Sequence, residues 1–175
     1  MSLRSIYLAY LSRPREERVL YRAIARYRCR RLLEIGIGSG ERAVRLIQMA
    51  QSRRGSQPAD YAGLDLFEAR NGDDESGCSL KEAHRLLANH GAKIRLLPGD
   101  PYAVLARRAN DLGKLDLIVV SESLGRGWFY VPRLLHENTQ IFRDKQFPDG
   151  ERCLIPLDHE QVDDLARRSS QTRAA

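Results

Sequence analysis

Short apolar runs alternate along the chain with segments in which apolar residues recur at helical spacing. The runs predict strands, because a few consecutive apolar residues between turn residues suit a buried strand. The amphipathic segments predict helices that connect parallel strands. The predicted strands are residues 32–37, 61–66, 93–97, 115–121, 139–143 and 152–156. The predicted helices are residues 13–28, 41–51, 79–91, 100–113 and 124–135, and one that opens at Asp158.

Capping signals mark several of the predicted helix starts. Ser79 and Glu82 match a capping box, in which each side chain accepts a hydrogen bond from the other residue's amide. Asp100 precedes Pro101, and both residue types are favoured at the start of a helix. Ser12 is predicted to cap the first helix in the same way.

The alternation of strands and helices predicts a three-layer α/β domain with a doubly wound, mostly parallel sheet of five or six strands. Residues 115–121 are nearly all apolar, which is typical of a central strand covered on both faces. Ligands of such sheets bind at the carboxyl ends of the strands, near the reversal of strand order. We divide the chain into an N-terminal helical cap (1–30), the α/β domain (31–168) and a loose tail (169–175).

Length and composition narrow the class of protein. The chain has 175 residues, of which 42% are hydrophobic and 30% charged, as expected for one globular domain. No apolar run approaches the roughly 20 residues of a membrane span, and no cleavage site follows the apolar stretch at residues 6–11. Three widely spaced cysteines without a Cys-x-x-Cys pair argue against zinc and iron–sulfur sites and favour the reducing cytoplasm.

Positive charge is concentrated in the first third of the chain. The formal net charge is +6, and residues 1–54 contain 13 arginines against 4 acidic residues. Such a surplus fits either a nucleic-acid surface or a set of solvated helix faces. The arginines are distributed over helix faces rather than in one run, so we favour the solvated faces.

The glycine-rich turn after the first strand is the most specific motif. Gly36, Gly38 and Gly40 form a G-x-G-x-G pattern between a strand and a helix. Glycines permit positive φ and let a ligand approach the backbone, and the next helix N-terminus offers free amides. The dinucleotide-binding pattern would need a glycine where the chain has Glu41, and no P-loop Gly-Lys-Ser/Thr follows. A nicotinamide-dependent oxidoreductase is therefore disfavoured.

Two acidic residues extend this motif. Glu34 precedes the glycines and Asp65 ends the second predicted strand, a pattern that resembles the class I S-adenosylmethionine-dependent methyltransferases over residues 31–143. The resemblance implies a Rossmann-like fold, S-adenosylmethionine as cofactor and S-adenosylhomocysteine as product. The family's usual sheet has seven strands, but only 32 residues follow Arg143. A sheet shortened to five or six strands is therefore expected.

The resemblance also implies roles for individual cofactor-binding residues. The glycine turn would pass the methionine part of the cofactor, and Glu34 would organise that turn and the cofactor's ammonium group. Asp65 would bind the ribose hydroxyls. Leu66 or Phe67 would lie along the adenine, and Asp100 would face the adenine amino group. The alternative for Asp100 is a plain helix N-cap.

The end of the fourth predicted strand, Ser121-Glu122-Ser123, would line the methyl-transfer site. Transfer from a sulfonium is an in-line displacement that mainly requires positioning of donor and acceptor. Where a proton must be removed, Glu122 is the first candidate for the general base and His136 the second. Ser121 and Glu122 have a plain alternative as loop residues.

The function predicted from these features is an S-adenosylmethionine-dependent methyltransferase with a small-molecule acceptor. One alternative is a non-catalytic cofactor-binding or scaffold protein of the same fold, favoured by the short C-terminal end. Another is an RNA- or DNA-directed methyltransferase, favoured by the basic first third. We expect neither a metal nor a membrane partner, and the sequence leaves open whether the chain forms a homo-oligomer.

Overall fold

Six strands and six α-helices are present in the part of the chain that the computed structural model describes, residues 3–52, 57–70, 77–121, 123–147 and 152–171. The strands are β1 (Arg31–Ile35), β2 (Asp60–Asp65), β3 (Lys93–Pro98), β4 (Leu117–Val120), β5 (Gln140–Gln146) and β6 (Arg152–Leu157). The α-helices are α1 (Leu3–Tyr10), α2 (Arg18–Tyr27), α3 (Glu41–Gln51), α4 (Leu80–Leu87), α5 (Pro101–Leu112) and α6 (His159–Gln171).

The strands form one sheet in the order β3-β2-β1-β4-β5-β6. Strands β1 to β5 are parallel, and β6 pairs antiparallel with β5 from Ile141 opposite Leu157 to Gln146 opposite Arg152. The chain first builds outward from β1 through β2 to β3 and then crosses to β4 on the other side of β1. This reversal places a switch point between β1 and β4. The predicted doubly wound α/β fold is confirmed.

The alternation of side chains along each strand divides the core into two halves, one on each face of the sheet. Leu32 of β1 packs in the half covered by α1, α2, α3 and α4, and Leu33 and Ile35 pack in the half covered by α5 and α6. In the first half, α1 inserts Leu8 and Ala9 and contacts both α2 and α3. The N-terminal helices are thereby part of the layer that carries the glycine turn.

The capping box predicted at the start of α4 is confirmed. The Ser79 hydroxyl accepts from the Glu82 amide at 3.2 Å, and the Glu82 carboxylate accepts from the Ser79 amide at 2.9 Å. Two amides that would otherwise lack an intrahelical partner are satisfied. Because α4 packs beside the glycine turn, this cap helps to fix one wall of the turn.

Replacing Ser79 by alanine is expected to lower the free energy of unfolding by about 1 kcal/mol, the usual cost of losing such a cap. Urea denaturation of the variant measures this loss. Ser170→Ala is the matched control, because the exposed Ser170 hydroxyl donates to the Arg167 carbonyl in the last turns of α6. The control is expected to stay within about 0.5 kcal/mol of the wild type. Equal losses in the two variants would contradict the prediction.

Three predicted details differ from the structure. Ser12 does not cap the first predicted helix, since its hydroxyl donates to the Leu8 carbonyl at 2.6 Å at the end of α1. That helix begins instead with the 3-10 turn Arg15–Glu17. The segment predicted as a helix at 124–135 is the 3-10 helix Gly125–Leu134, which contains a proline without an amide hydrogen. Finally, α6 continues to Gln171, three residues into the predicted loose tail.

Candidate functional site

The turn between β1 and α3 contains the three glycines of the G-x-G-x-G pattern. Gly36, Gly38 and Gly40 have φ of 85°, 59° and 80°, a left-handed conformation that is costly for other residues. A Cβ on Gly38 would meet no atom within 4 Å, whereas one on Gly40 would lie 2.8 Å from Leu86 Cδ2. Gly40 is therefore required for the turn and lets Leu86 of α4 pack close to it, and Gly38 leaves the backbone accessible to a ligand.

Asp65, the last residue of β2, is fully buried and holds this turn in place. Its Oδ2 accepts hydrogen bonds from the amides of Ile37 at 2.7 Å and Gly38 at 3.1 Å. Its Oδ1 accepts from the Phe67 amide at 3.1 Å and from the guanidinium of Arg70. Three backbone donors and one cation thus offset the cost of burying the carboxylate.

Glu34, in β1, is equally buried and lies beneath the glycine turn. Its Oε1 accepts from Arg42 Nε at 2.6 Å, and its Oε2 accepts from the Tyr61 hydroxyl at 2.7 Å. Burial raises the pKa of Glu34, and the Arg42 guanidinium and the Tyr61 hydroxyl oppose that increase. Burial and the adjacent Glu34 also raise the pKa of Tyr61 well above its ordinary value, so its hydroxyl remains a donor.

Arg42 connects the glycine turn to β1, to the end of β4 and to β5. Besides Glu34, its guanidinium donates to the Gly36 carbonyl at 3.1 Å and to the Ser121 hydroxyl at 2.6 Å, and it lies 3.9 Å from Asp144 Oδ2. Sequence reasoning missed this residue. A signal was present, because Arg42 lies four and seven positions before the buried Leu46 and Met49 of α3, on the apolar stripe of the helix.

A cleft of about 590 Å³ opens over the carboxyl ends of β1 and β4, at the switch point of the sheet. The glycine turn forms its floor, and charged side chains form most of its walls. Arg45 pairs with Glu17 at 2.8 Å and with Glu41 at 2.6 Å, and Arg152 pairs with Asp144 at 3.3 Å. The size is that of a small-molecule site, and the lining favours a polar ligand.

The remaining residues predicted for the carboxyl edge occupy different environments. Ser121 lines the cleft and accepts the hydrogen bond from Arg42. Leu66 is half-buried directly after β2. Asp100 is exposed and accepts a hydrogen bond from the Ala103 amide at 2.9 Å, which is the N-cap contact for α5. Glu122, the first candidate for a general base, lies outside the described residues.

His136 lies at the opposite edge of the sheet, and its prediction as a general base at the cleft is wrong. Its Nε2 is 3.0 Å from Asp116 Oδ1, and Asp116 also accepts from the amides of Arg30 and Arg31, where β1 begins. The physical reason is the parallel pairing of β4 and β5. The connection between them must return to the amino edge before β5 starts, and His136 belongs to the end of that connection.

Comparison with solved structures identifies the fold. The O-methyltransferase TomG from Streptomyces achromogenes, involved in tomaymycin synthesis and crystallised with S-adenosylmethionine, superposes with a TM-score of 0.58 at 14% identity over 99% of this chain and 78% of TomG. An O-methyltransferase from Bacillus cereus, crystallised with S-adenosylhomocysteine, superposes with a TM-score of 0.58. The sequence identity is 15%, and the match covers 99% of this chain and 80% of that enzyme. A TehB-like methyltransferase from Corynebacterium glutamicum superposes with a TM-score of 0.53. The sequence identity is 17%, and the match covers 94% of this chain and 77% of that protein.

The chain therefore has the Rossmann-like fold of the class I S-adenosylmethionine-dependent methyltransferases. No protein-family model matches the sequence, and no curated protein matches it. Among the described residues, no helix is long and apolar enough to cross a membrane. The same residues contain no group of three or more histidine, cysteine, aspartate or glutamate side chains placed to hold a metal ion.

Proposed function

We propose that this protein is an S-adenosylmethionine-dependent methyltransferase that acts on a small polar acceptor. The observation that carries the proposal is the glycine turn, which opens on a cleft of about 590 Å³ at the switch point and is tied to the acid at the end of β2. The likeness to methyltransferases solved with S-adenosylmethionine or S-adenosylhomocysteine supports it.

The residues around the turn fit such a cofactor. Gly38 exposes backbone to the cleft, since even a Cβ there would touch nothing within 4 Å. Asp65 lies at the end of β2, where its carboxylate would accept from the ribose hydroxyls. Arg42 keeps the Ser121 hydroxyl fixed on the cleft wall at the end of β4. When bound, the cofactor supplies an electrophilic methyl group on its sulfonium.

The chain's own contribution to transfer would be positioning. An in-line displacement needs the donor and the acceptor held in one geometry, and well-oriented reactants reach effective molarities of ~10⁵ M or more. The turn, Glu34 and Arg42 form a pre-arranged network that can supply this order. The charged walls favour a small polar acceptor over an apolar aromatic one.

The second candidate is a non-catalytic protein that binds the same cofactor. It is favoured by the acids that line the cleft, since Glu17, Glu41 and Asp144 are each paired with an arginine rather than free to take a proton from an acceptor. Incubation with methyl-labelled S-adenosylmethionine and the small-molecule fraction of a cell extract separates the two candidates. Label in a new product supports the enzyme, whereas cofactor binding without transfer supports the non-catalytic protein.

Calorimetric titration with S-adenosylhomocysteine and S-adenosylmethionine tests cofactor binding. Binding of both and not of NADH is expected. Gly38→Ala should weaken it about tenfold or more, ~1.4 kcal/mol, because the methyl group would project into the cleft. Gly91→Ala is the matched control, since Gly91 also has a positive φ, of 68°, and lies after α4, where a Cβ would come no closer than 3.6 Å to Gln51 Nε2.

Both glycine variants are expected to lose a similar ~1–2 kcal/mol of stability through backbone strain. Only Gly38→Ala should lose affinity for the cofactor. Absence of binding both by the wild type and by Arg70→Met, which lacks the guanidinium beside Asp65, would overturn the proposed function. Equal affinity losses in the two variants would remove the glycine turn from the argument.

A further inference from the structure

The carboxylate of Asp65 has no hydrogen-bonding capacity left for a ligand. An ionised carboxylate offers about four lone-pair sites on its two oxygens. The amides of Ile37 and Gly38 occupy Oδ2, and the Phe67 amide and the Arg70 guanidinium occupy Oδ1. The side chain is also fully buried. A ribose hydroxyl can therefore reach this carboxylate only if one of the four donors leaves.

Three of the four donors are fixed by the backbone. The amides of Ile37 and Gly38 belong to the glycine turn, and the Phe67 amide is held by a 3-10 turn directly after β2. Releasing any of these would require the backbone to refold. Arg70 is the only side chain in the set, and its guanidinium lines the cleft. Its further hydrogen bond goes to the Cys78 carbonyl at 3.4 Å and is weak.

We infer that Arg70 is an internal competitor of the ligand, which occupies the ribose-hydroxyl position on Asp65 and must be displaced when the cofactor binds. The inference rests on the proposed function and adds a regulatory contact to its site. Displacement leaves Asp65 with three backbone hydrogen bonds, so the buried charge stays compensated. The structure of the turn does not depend on Arg70, and the contact can open without unfolding.

Gly77 provides the space that Arg70 occupies. A Cβ built on Gly77 would overlap the Arg70 guanidinium, while no backbone atom is among its nearest neighbours. The φ of Gly77 is not in the left-handed region, so alanine is compatible with the backbone there. Gly77→Ala should therefore push Arg70 away from Asp65 without altering either side chain.

The contact between Arg70 and Asp65 lowers the apparent affinity for the cofactor. The apparent affinity equals the affinity of the open form multiplied by the fraction of molecules in which Asp65 is free of Arg70. A charge-assisted hydrogen bond of this kind corresponds to a factor on the order of ten or more in an equilibrium constant. Arg70→Met removes the donor and retains the aliphatic stem. Both Arg70→Met and Gly77→Ala are thus expected to tighten binding of S-adenosylhomocysteine about tenfold.

The test is a calorimetric series on the full chain with three probes, S-adenosylhomocysteine, adenosine and 2′,3′-dideoxyadenosine. The two variants should bind the first two probes more tightly than the wild type, by similar factors. Dideoxyadenosine lacks both hydroxyls, so its affinity should not change. Arg95→Met is the matched control, because Arg95 pairs with Asp60 at 3.2 Å at the opposite end of β2.

Each outcome bears on the inference. Tighter binding in both variants, confined to probes with ribose hydroxyls, supports it, even where the wild type binds too weakly to measure. Unchanged or weaker binding by the variants beside a wild type that binds would overturn it and leave the proposed function standing. If neither the wild type nor the variants bind S-adenosylhomocysteine, the proposed function fails, and the inference fails with it.

Discussion

Asp65→Ala is expected to lower the free energy of unfolding by about 3–5 kcal/mol, because three backbone amides lose their buried acceptor at about 1–3 kcal/mol each. The substitution leaves the amides of Ile37, Gly38 and Phe67 without their acceptor and Arg70 without its counter-ion. The glycine turn loses the group that defines its shape. Binding of S-adenosylhomocysteine should be lost together with the stability.

Urea denaturation followed by circular dichroism measures the change, and Asp60→Ala is the matched control. Asp60 begins the same strand and also pairs with an arginine, but its side chain and that of Arg95 are 28% and 37% exposed. An exposed pair contributes at most about 1 kcal/mol. A loss for Asp65→Ala no larger than that for Asp60→Ala would contradict the role assigned to the buried carboxylate.

Arg42→Met is expected to be similarly destabilising at neutral pH, by about 3–5 kcal/mol, because it leaves the buried carboxyl group of Glu34 without its cation. The Tyr61 hydroxyl remains as a donor to Glu34, but it carries no charge. The contacts to Gly36 and Ser121 disappear as well. Chemical denaturation at pH 7 provides the measurement.

The loss of unfolding free energy in Arg42→Met, relative to the wild type, should become smaller as pH falls. Burial raises the pKa of Glu34 in the folded protein, so the folded state binds the Glu34 proton more tightly than the unfolded chain does. Its contribution to stability is present below the ordinary glutamate pKa of about 4.3 and is lost as pH rises through the higher folded value. Without Arg42 the folded value rises further. The variant should therefore approach the wild type in stability as pH falls.

Two further variants test whether Glu34 causes the loss of stability in Arg42→Met. Adding Glu34→Gln to Arg42→Met removes the buried charge and should restore much of the lost stability and flatten the pH dependence. Arg108→Met is the control, because Arg108 and its partner Asp111 are both 61% exposed and should contribute almost nothing. A deficit that stays constant with pH, or a double variant no better than the single one, would show that Glu34 is not the affected group.

The sequence predicted correctly those helices and helix caps that are determined by residues close together in the chain. Helix α3 spans residues 41–51 as predicted, because its apolar stripe and the glycine before it define both its face and its start. The capping box of α4 and the Asp100 cap of α5 are equally local. The parallel order of the strands followed from helices long enough to connect them.

The site was only partly predictable, for a physical reason. The glycines and Asp65 can be recognised from their positions in the sequence. The glycines directly follow β1 and Asp65 ends β2, and these two strands end at the same edge of the sheet. The arginines that neutralise the buried acids carry no such signal, because Arg42 and Arg70 acquire their roles only through contacts that the folded chain creates. The prediction for His136 was wrong because it relied on sequence order alone. His136 follows β4 in the sequence, but the chain has returned to the amino edge of the sheet before it reaches this residue.

The hydrogen bonds from the glycine turn to Asp65 have a consequence for how binding would be distributed over enthalpy and entropy. Loops that order around a ligand lose conformational freedom at that moment, and the loss subtracts from affinity. Here the amides of Ile37 and Gly38 are already held by a buried carboxylate, so the entropy of ordering the turn is met during folding. A ligand would find a preorganised floor, and its arrival would require the rearrangement of one side chain rather than of a loop.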